Sequence, residues 1–426
     1  MIHKVIFNIG ARIRTPNLKT EFKFLKDSEK WSTDKLEKYQ VEQLKKILNN
    51  AYNNSLFYKE LYDSSGFNPK SIKLLSDIKK IPIVTKKDII NNTEKIQLMK
   101  GYKKLFLSET SGSTGQPLTF YKSSNWDSKN RAAQFRGYSW YGVKPWEKNG
   151  YFWGFNFSNL QLIKTKINDL LINRFRSFSY SKSEIYKFTK KLKRAQYLEG
   201  YSSMIYETAK VINNNSLGTF KLKMVKGTSE KIYNSYQHEA KKAFGKKIIS
   251  EYGSAETGLI AFECPCGNMH IAMENVIVEE ENNEAIITNL MSDSFPIIRY
   301  KLGDYIELDE GKKCECGMEH KIVKSVLGRV GKSIHGYKQK YPSLVLYYIF
   351  KNLTLNYGVI LNYQAIQKER GNLIIYLDNT FDNKTESLIE KECFNYFNDD
   401  VKVIIINNTI KKNYESKRKD FISYLD

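Results

Sequence analysis

Ser108-Glu109-Thr110-Ser111-Gly112-Ser113-Thr114-Gly115 carries hydroxyls and glycines and no bulky apolar side chain. Glycine admits the tight or positive-φ backbone that a short loop requires. Successive amides in such a loop form a concavity that holds an anion. The phosphate of a nucleotide is the natural guest. The stretch is not a GxxxxGK[ST] loop, because Gln116-Pro117 follows Gly115 and no helical pattern begins there. Residues 103–107 read as a strand leading in, and 118–121 as a strand leading out. The predicted unit is therefore a strand-loop-strand hairpin that cradles phosphate. The same residues would also suit an ordinary Ser/Gly surface turn, so the rest of the chain decides.

The chain has 426 residues, of which 41% are hydrophobic, enough for a large domain plus a small one. No apolar run approaches the length that spans a membrane, and the start lacks a signal peptide's apolar stretch and cleavage site. The expected location is the cytoplasm. With 68 basic and 46 acidic residues the net charge is +22. That excess suits anionic partners: nucleotides, nucleic acid, acidic sugars, or peripheral contact with an anionic surface. The lysines are scattered along the whole chain and not gathered in a tail.

Helical spacing of apolar residues runs through 34–62, and residues 127–141 and 183–198 also read as helices. Residues 151–157 alternate like a buried strand. Residues 247–250 read as a short strand ending at Glu251-Tyr252-Gly253. Residues 276–279 and 285–288 read as strands paired around an Asn-Asn turn. After Gly336 the pattern changes to strand (358–366), strand (373–377), helix (384–397) and strand (401–406). This predicts an α/β fold with a large domain over 1–330 and a compact lid over 331–426.

Three further segments suit a nucleotide. In Tyr252-Gly253-Ser254-Ala255-Glu256-Thr257-Gly258, an aromatic beside a glycine can stack on a purine, and the carboxylate can hold Mg²⁺. In Arg299-Tyr300-Lys301-Leu302-Gly303-Asp304, an Asp at a strand end can accept ribose hydroxyls. Leu327-Gly328-Arg329-Val330-Gly331-Lys332 places an Arg between glycines where the character of the chain changes. Each has a bland reading as a turn or linker; their order and spacing together do not.

With these segments the chain resembles the adenylate-forming superfamily, in its phenylacetate-CoA ligase and CapK-like capsular polysaccharide branch. Residues 50–58, 81–88, 198–201 and 227–230 fit the same branch, so the resemblance covers nearly the whole chain. It implies a large N-terminal domain of α/β layers with a β-barrel-like part and a small mobile C-terminal α+β domain. It implies that ATP and a carboxylic acid form an acyl-adenylate, and that the acyl group then passes to coenzyme A or to an amine, which a polysaccharide precursor could carry. Thr110, Ser111, Gly112, Ser113, Thr114 and Gly115 would hold the β- and γ-phosphates. Tyr252, with Gly253 and Ser254, would hold adenine, Glu256 would bind Mg²⁺, and Asp304 and Arg329 would hold the ribose. In Tyr414-Glu415-Ser416-Lys417, Lys417 would be the late catalytic lysine. The chain departs from the pattern at Gln116, where many relatives carry Lys, and at Gly331-Lys332 after the hinge Arg.

Cys264-Pro265-Cys266-Gly267-Asn268-Met269-His270 and Cys314-Glu315-Cys316-Gly317-Met318-Glu319-His320 share the pattern C-x-C-G-x-x-H. Two such knuckles point to one tetrahedral, structural Zn²⁺. Cys264, Cys314 and Cys316 are three expected ligands; the fourth is Cys266 or His270, and the resemblance favours His270. Cys393 falls in a helical pattern and is assigned to core. A basic zinc-containing nucleic-acid-binding protein would also explain charge and knuckles. It leaves the ordered nucleotide motifs unexplained, so no nucleic-acid partner is expected.

Overall fold

The computed structural model describes residues 2–110, 117–152, 159–177, 182–229, 232, 234–282, 284–309, 311, 313–326, 333–359, 361, 363–377, 381–407 and 421–425. The chain forms two compact units. One comprises Met1–Glu109, Thr119–Trp153 and Asn159–Arg329; the other comprises Thr110–Leu118, Gly154–Ser158 and Val330–Asp426.

The first unit opens with helices α1 (Ile2–Arg14), α2 (Leu18–Ser28), α3 (Thr33–Asn54) and α4 (Leu56–Ser65), followed by the short α5 (Lys86–Asn91) and α6 (Thr93–Ile96). The helical pattern over 34–62 is broken at Ser55. Its amide closes α3 on Ala51 and its side chain accepts from the Tyr58 amide, so one residue ends a helix and caps the next. Strands β1 (Leu105–Glu109) and β2 (Thr119–Ser123) pair antiparallel, with Glu109 opposite Thr119, which is the predicted hairpin. Ser123 then accepts from the Trp126 amide and starts α7 (Ser124–Trp140).

Strands β3 (Asn149–Phe152), β4 (Arg174–Arg176), β5 (Tyr197–Tyr201), β6 (Met224–Thr228) and β7 (Ile249–Ser254) form a parallel sheet in the order β4-β3-β5-β6-β7. Helices α8 (Asn159–Leu171), α9 (Lys182–Leu192), α10 (Ser202–Asn214) and α11 (Asn234–Phe244) make the crossovers that parallel strands require. The helix expected over 183–198 ends at Leu192, and Tyr197 and Leu198 belong to β5. From β7 onward the sheet turns antiparallel through β8 (Gly258–Glu263), β9 (Met269–Ile271), β13 (Ile322–Val326), β12 (Ile297–Asp309), β11 (Glu284–Asn289) and β10 (Val276–Glu281). Tyr138, Ala132 and Ala133 of α7, Leu18 and Leu25 of α2, and Tyr197, Met224, Ile249 and Phe262 of the sheet make one buried cluster.

The second unit contains the hairpin β14 (Ser333–His335) and β15 (Lys340–Pro342), α12 (Leu344–Tyr357), β16 (Tyr363–Glu369), β17 (Asn372–Leu377), α13 (Asn383–Phe397), β18 (Lys402–Ile406) and β19 (Phe421–Ser423). Its four-stranded sheet has the order β18-β17-β16-β19. The strand expected from Gly358 begins only at Tyr363: Gly358, at φ +70°, closes α12. The α12 sequence LVLYYIF is apolar on every side, so it lacks the periodicity that identifies a helix. Asp400 fastens the β14–β15 turn, accepting from the Lys338 amide at 2.5 Å and the Tyr341 hydroxyl at 3.0 Å.

Gly137 sits inside α7, where a Cβ would lie 2.6 Å from the buried Phe262 ring. In an open helix Gly→Ala stabilises by about 1 kcal/mol. Here the contact reverses the sign, and Gly137→Ala should cost roughly 1–3 kcal/mol in denaturant unfolding.

Candidate active site and metal centre

The β7–β8 connection carries the expected adenine and Mg²⁺ residues. Tyr252, Gly253 and Ser254 lie within strand β7 and not in a turn after it. A Cβ on Gly253 would stand 2.4 Å from the Gly258 carbonyl oxygen, so only glycine allows the two strand ends to close. Ser254 Oγ accepts from the Thr257 amide at 3.1 Å, and Asn289 Nδ2 donates to the Glu256 carbonyl at 3.0 Å. Asn130 of α7 accepts the Leu259 amide at 2.8 Å. Glu256 is thereby held in a buried turn, its Oε1 3.4 Å from the Tyr300 hydroxyl.

Asp304 is not at a strand end. It lies inside β12, next to Gly303 at φ +79°. Ile286 faces Lys301 and Glu284 faces Tyr305, so β12 advances four residues while β11 advances two. This bulge re-aims the strand at Asp304, whose Oδ2 accepts from the Tyr252 hydroxyl at 3.2 Å. Tyr252 and Glu256 at β7 and the β7–β8 turn thus meet Asp304 and Tyr300 of β12 through one hydroxyl–carboxylate contact each.

Thr110 closes the ends of the Gly/Ser loop: its amide donates to the Leu118 carbonyl at 2.9 Å and its Oγ1 accepts from the Leu118 amide at 2.9 Å. Ser111, Gly112, Ser113, Thr114, Gly115, Arg329 and Lys417 lie outside the described residues.

Below the β7 end is an ionic network that the sequence did not reveal. Lys226 of β6 reaches Glu251 at 2.8 Å, Glu199 at 3.2 Å and the Tyr138 hydroxyl at 3.0 Å. Arg174 reaches Glu199 at 2.8 Å and lies 3.8 Å from the Tyr151 ring centroid. Burial pushes the Glu199 carboxyl up, but Lys226 and Arg174 outweigh it and hold the group below its ordinary value.

The two cysteine knuckles converge. Single ligand atoms of Cys264, His270, Cys314 and Cys316 all lie within 4.8 Å of one another. Gly267 at φ +88° and Gly317 at φ +81° turn each knuckle, and each donates its amide to the first cysteine's carbonyl. His270 Nδ1 is 3.2 Å from the His320 carbonyl oxygen. A carbonyl only accepts, so Nδ1 carries the proton, and the Nε2 lone pair faces Cys316 Sγ at 3.3 Å. Burial pushes this imidazole down to about 4, which keeps it a neutral donor. Burial raises the Cys316 thiol to about 12, whereas at Cys314 the Cys316 amide and Asn268 outweigh burial and lower it. Asn268 Nδ2 donates to Cys314 Sγ at 3.1 Å. Two soft, buried sulfurs, a third sulfur and an oriented imidazole fit one tetrahedral ion. Cys266 is exposed and outside the group. His320 turns away, its Nε2 2.9 Å from Glu274 Oε1, which also binds Arg136 at 2.7 Å and the Ser28 hydroxyl.

No protein-family model matches the chain. It is 23% identical to Protein CapK of Staphylococcus aureus over 382 residues, which span 83% of this chain and 80% of that one. It is 38% identical to the phenylacetate-coenzyme A ligase of Escherichia coli strain K12 over 61 residues, 14% of each chain. Among solved structures, 2-hydroxyisobutyryl-CoA ligase in complex with 2-HIB-AMP and CoA superposes with a TM-score of 0.65 at 15% identity, over 92% of this chain and 91% of that one. The chain has the fold of this adenylate-forming ligase and is similar to CapK over most of its length.

Within this adenylate-forming fold, one residue near Glu256 escaped the motifs. Lys122 of β2 holds its ammonium 5.1 Å from the Trp126 ring centroid. Burial pushes it down to about 8, against the opposing pull of Asp127 and Glu256. Nothing in the pattern of β2 marks Lys122, because of the two carboxylates that act on it Glu256 lies more than a hundred residues away in sequence.

Two outcomes are expected. Purified protein should carry about one metal ion per chain; elemental analysis should show it retained in Cys266→Ser and lost from Cys314→Ser and His270→Ala. The second concerns Glu274. Burial raises its carboxyl, but Arg136 and His320 overcome that and hold it well below the usual range. A depressed carboxyl stabilises the fold above its unfolded value and loses that contribution as pH falls. Arg136→Met should cost about 3–5 kcal/mol at pH 7, and the difference from the parent should shrink as the pH drops through about 4.5 and below.

Proposed function

We propose that this protein uses ATP to activate a carboxylic acid as an acyl-adenylate and then transfers the acyl group to an amine or to the thiol of coenzyme A. The observation that carries the reading is Glu256 buried in the β7–β8 turn beside Tyr300, with Tyr252 and Asp304 hydrogen-bonded next to it. In the first half-reaction a carboxylate oxygen of the acid bonds to the α-phosphorus of ATP, and the bond to the pyrophosphate oxygen breaks. In the second, a thiol or amine attacks the acyl carbon, AMP leaves, and the nucleophile's proton passes to solvent. Adenylation makes a good leaving group, so the protein's task is placement and charge compensation.

Tyr252 offers its ring to adenine and its hydroxyl orients Asp304, which receives the ribose together with Arg329. Glu256 holds Mg²⁺, which neutralises phosphate charge when bound. Thr110 and the loop 111–115 receive the β- and γ-phosphates, and Lys417 supplies the late positive charge. Zinc is the ion that three thiolates and one imidazole select, and with four protein ligands it is structural. The likeness to CapK supports an amine acceptor in cell-surface polysaccharide biosynthesis; the CoA bound to the similar ligase supports a thiol. We place the reaction in the cytoplasm, where ATP is supplied; among the described residues no helix is long and apolar enough to cross a membrane.

ATP–pyrophosphate exchange over a panel of carboxylic acids tests the reading. At least one acid should support exchange, and Glu256→Gln and Lys417→Ala should each lower it by about 10²-fold or more. Mass spectrometry with CoA and with amino sugars then distinguishes the acceptors. Absence of exchange with every acid, in folded metal-loaded protein, would sink the proposal.

A further inference from the structure

Helix α1 is apolar on two opposite faces. Phe7 and Ala11 point inward and pack against the buried cluster of the first unit, Phe7 meeting the Phe135 and Trp146 rings. Val5, Ile9 and Ile13 fall on the other side, within an arc of about 80° at helical spacing. These three are 53%, 53% and 64% exposed. Among the described residues nothing covers that outer ridge.

Helix α8 repeats the arrangement. Asp169 is buried and binds Arg176 at 2.8 Å, which fixes the inner face. Ile163, Ile167 and Leu170 occupy an arc of about 60° on the outside and are 56%, 55% and 71% exposed. The two helices adjoin: His3 Nδ1 of α1 donates to the Leu171 carbonyl of α8 at 3.4 Å. Their charges have one sign. Helix α1 contains no acidic residue, and the acid of α8 is the buried Asp169. Arg12 on α1 and Lys164 and Lys166 on α8 are exposed, on a chain of net charge +22.

We propose that α1 and α8 form a docking surface for a bilayer rich in anionic phospholipid. The outer ridges enter the boundary between headgroups and acyl chains, and the flanking cations meet the phosphates. Exposed apolar ridges on two adjoining helices whose own exposed charges are all basic fit that partner better than a neutral protein surface. The helices would lie in the plane of the membrane, and the protein would bind it reversibly without crossing it. The proposal is independent of the reaction catalysed.

Co-sedimentation of the whole protein with vesicles of phosphatidylglycerol and phosphatidylcholine tests it, against vesicles of phosphatidylcholine alone. Partitioning into the anionic vesicles should be at least about tenfold stronger and should fall as salt is raised. Ile9→Asp and, independently, Ile163→Asp should each weaken it about tenfold or more, with the circular dichroism spectrum and melting temperature unchanged because both side chains are exposed. Equal binding to the two vesicle types, or anionic binding that neither variant reduces, would overturn the proposal. So would a dimer, seen by analytical ultracentrifugation, that both variants dissociate while vesicles are not bound; the ridges would then be an interface between two copies.

Discussion

Strand β12 is the element on which the rest of the first unit depends. Its beginning pairs with β11 and its end with β13, so a single strand belongs to two ladders. A regular strand cannot serve two partners that splay apart. The extra residues at 302–304, with Gly303 in the left-handed region, let the direction change between them. The start of the strand is pinned from outside the sheet: Arg299 binds both Glu279 oxygens, at 3.0 and 2.9 Å, and donates to the Ile81 carbonyl at 2.7 Å. Val84 then exchanges backbone hydrogen bonds with Arg299 and Lys301. Arg299 adopts φ +42°, a conformation that costs a non-glycine residue of order 1–3 kcal/mol and persists only where surroundings over-determine it. Five hydrogen-bonding donors in a rigid fork, three used in these contacts and a fourth on the Lys79 carbonyl at 3.1 Å, provide that. The consequence for the candidate site is that Tyr300, before the bulge, meets Glu256, and Asp304, within it, meets Tyr252.

Much of this was legible in the chain. The β1–β2 hairpin, the β10–β11 pair and the order of strands and helix in the second unit follow from short-range signals: alternation, Gly and Asn turns, and helical spacing. The candidate nucleotide segments could be picked out from the chain by their order. What surrounds them was not. Asn130, Asn289 and Tyr300 act on the β7–β8 turn from 30 to 130 residues away in sequence, and their side chains are common in solvated turns as well as in buried contacts. Asp304 read as a strand end because a Gly-Asp pair usually marks a turn; the sheet continues through it because β13 is there to take the ladder over. Helix α12 was illegible for the opposite reason, because its first half is an unbroken apolar and aromatic run.

The Lys226 network shows how polar groups are retained inside such a sheet. Glu199, Lys226 and Glu251 come from three adjacent parallel strands, and Arg174 from a fourth. Each charge loses hydration on burial, and an unpaired one would be expelled or neutralised. Here two cations alternate with two carboxylates, and the Tyr138 hydroxyl contacts both Glu199 and Lys226. The network also links α7 to the strand that carries Tyr252, so the position of the candidate adenine-stacking ring depends on charge pairing beneath it as well as on apolar packing.

The paired knuckles carry the last lesson. Identical C-x-C-G-x-x-H sequences make similar turns, yet they contribute differently: Cys264 and His270 from one, Cys314 and Cys316 from the other. Six donors exceed the four that a tetrahedral ion takes, so symmetry must break. The break follows from strand pairing. His270 lies on β9, directly opposite Ile322 of β13, while His320 precedes that strand and faces the buried carboxylate of Glu274. His320 therefore acts twice, giving its backbone oxygen to the His270 ring and its own ring to Glu274. Glu274 in turn holds Arg136 of α7 and Ser28 of α2. The two knuckles and the packing of two helices onto the sheet are thus joined through His320 and Glu274, by hydrogen bonds between buried groups.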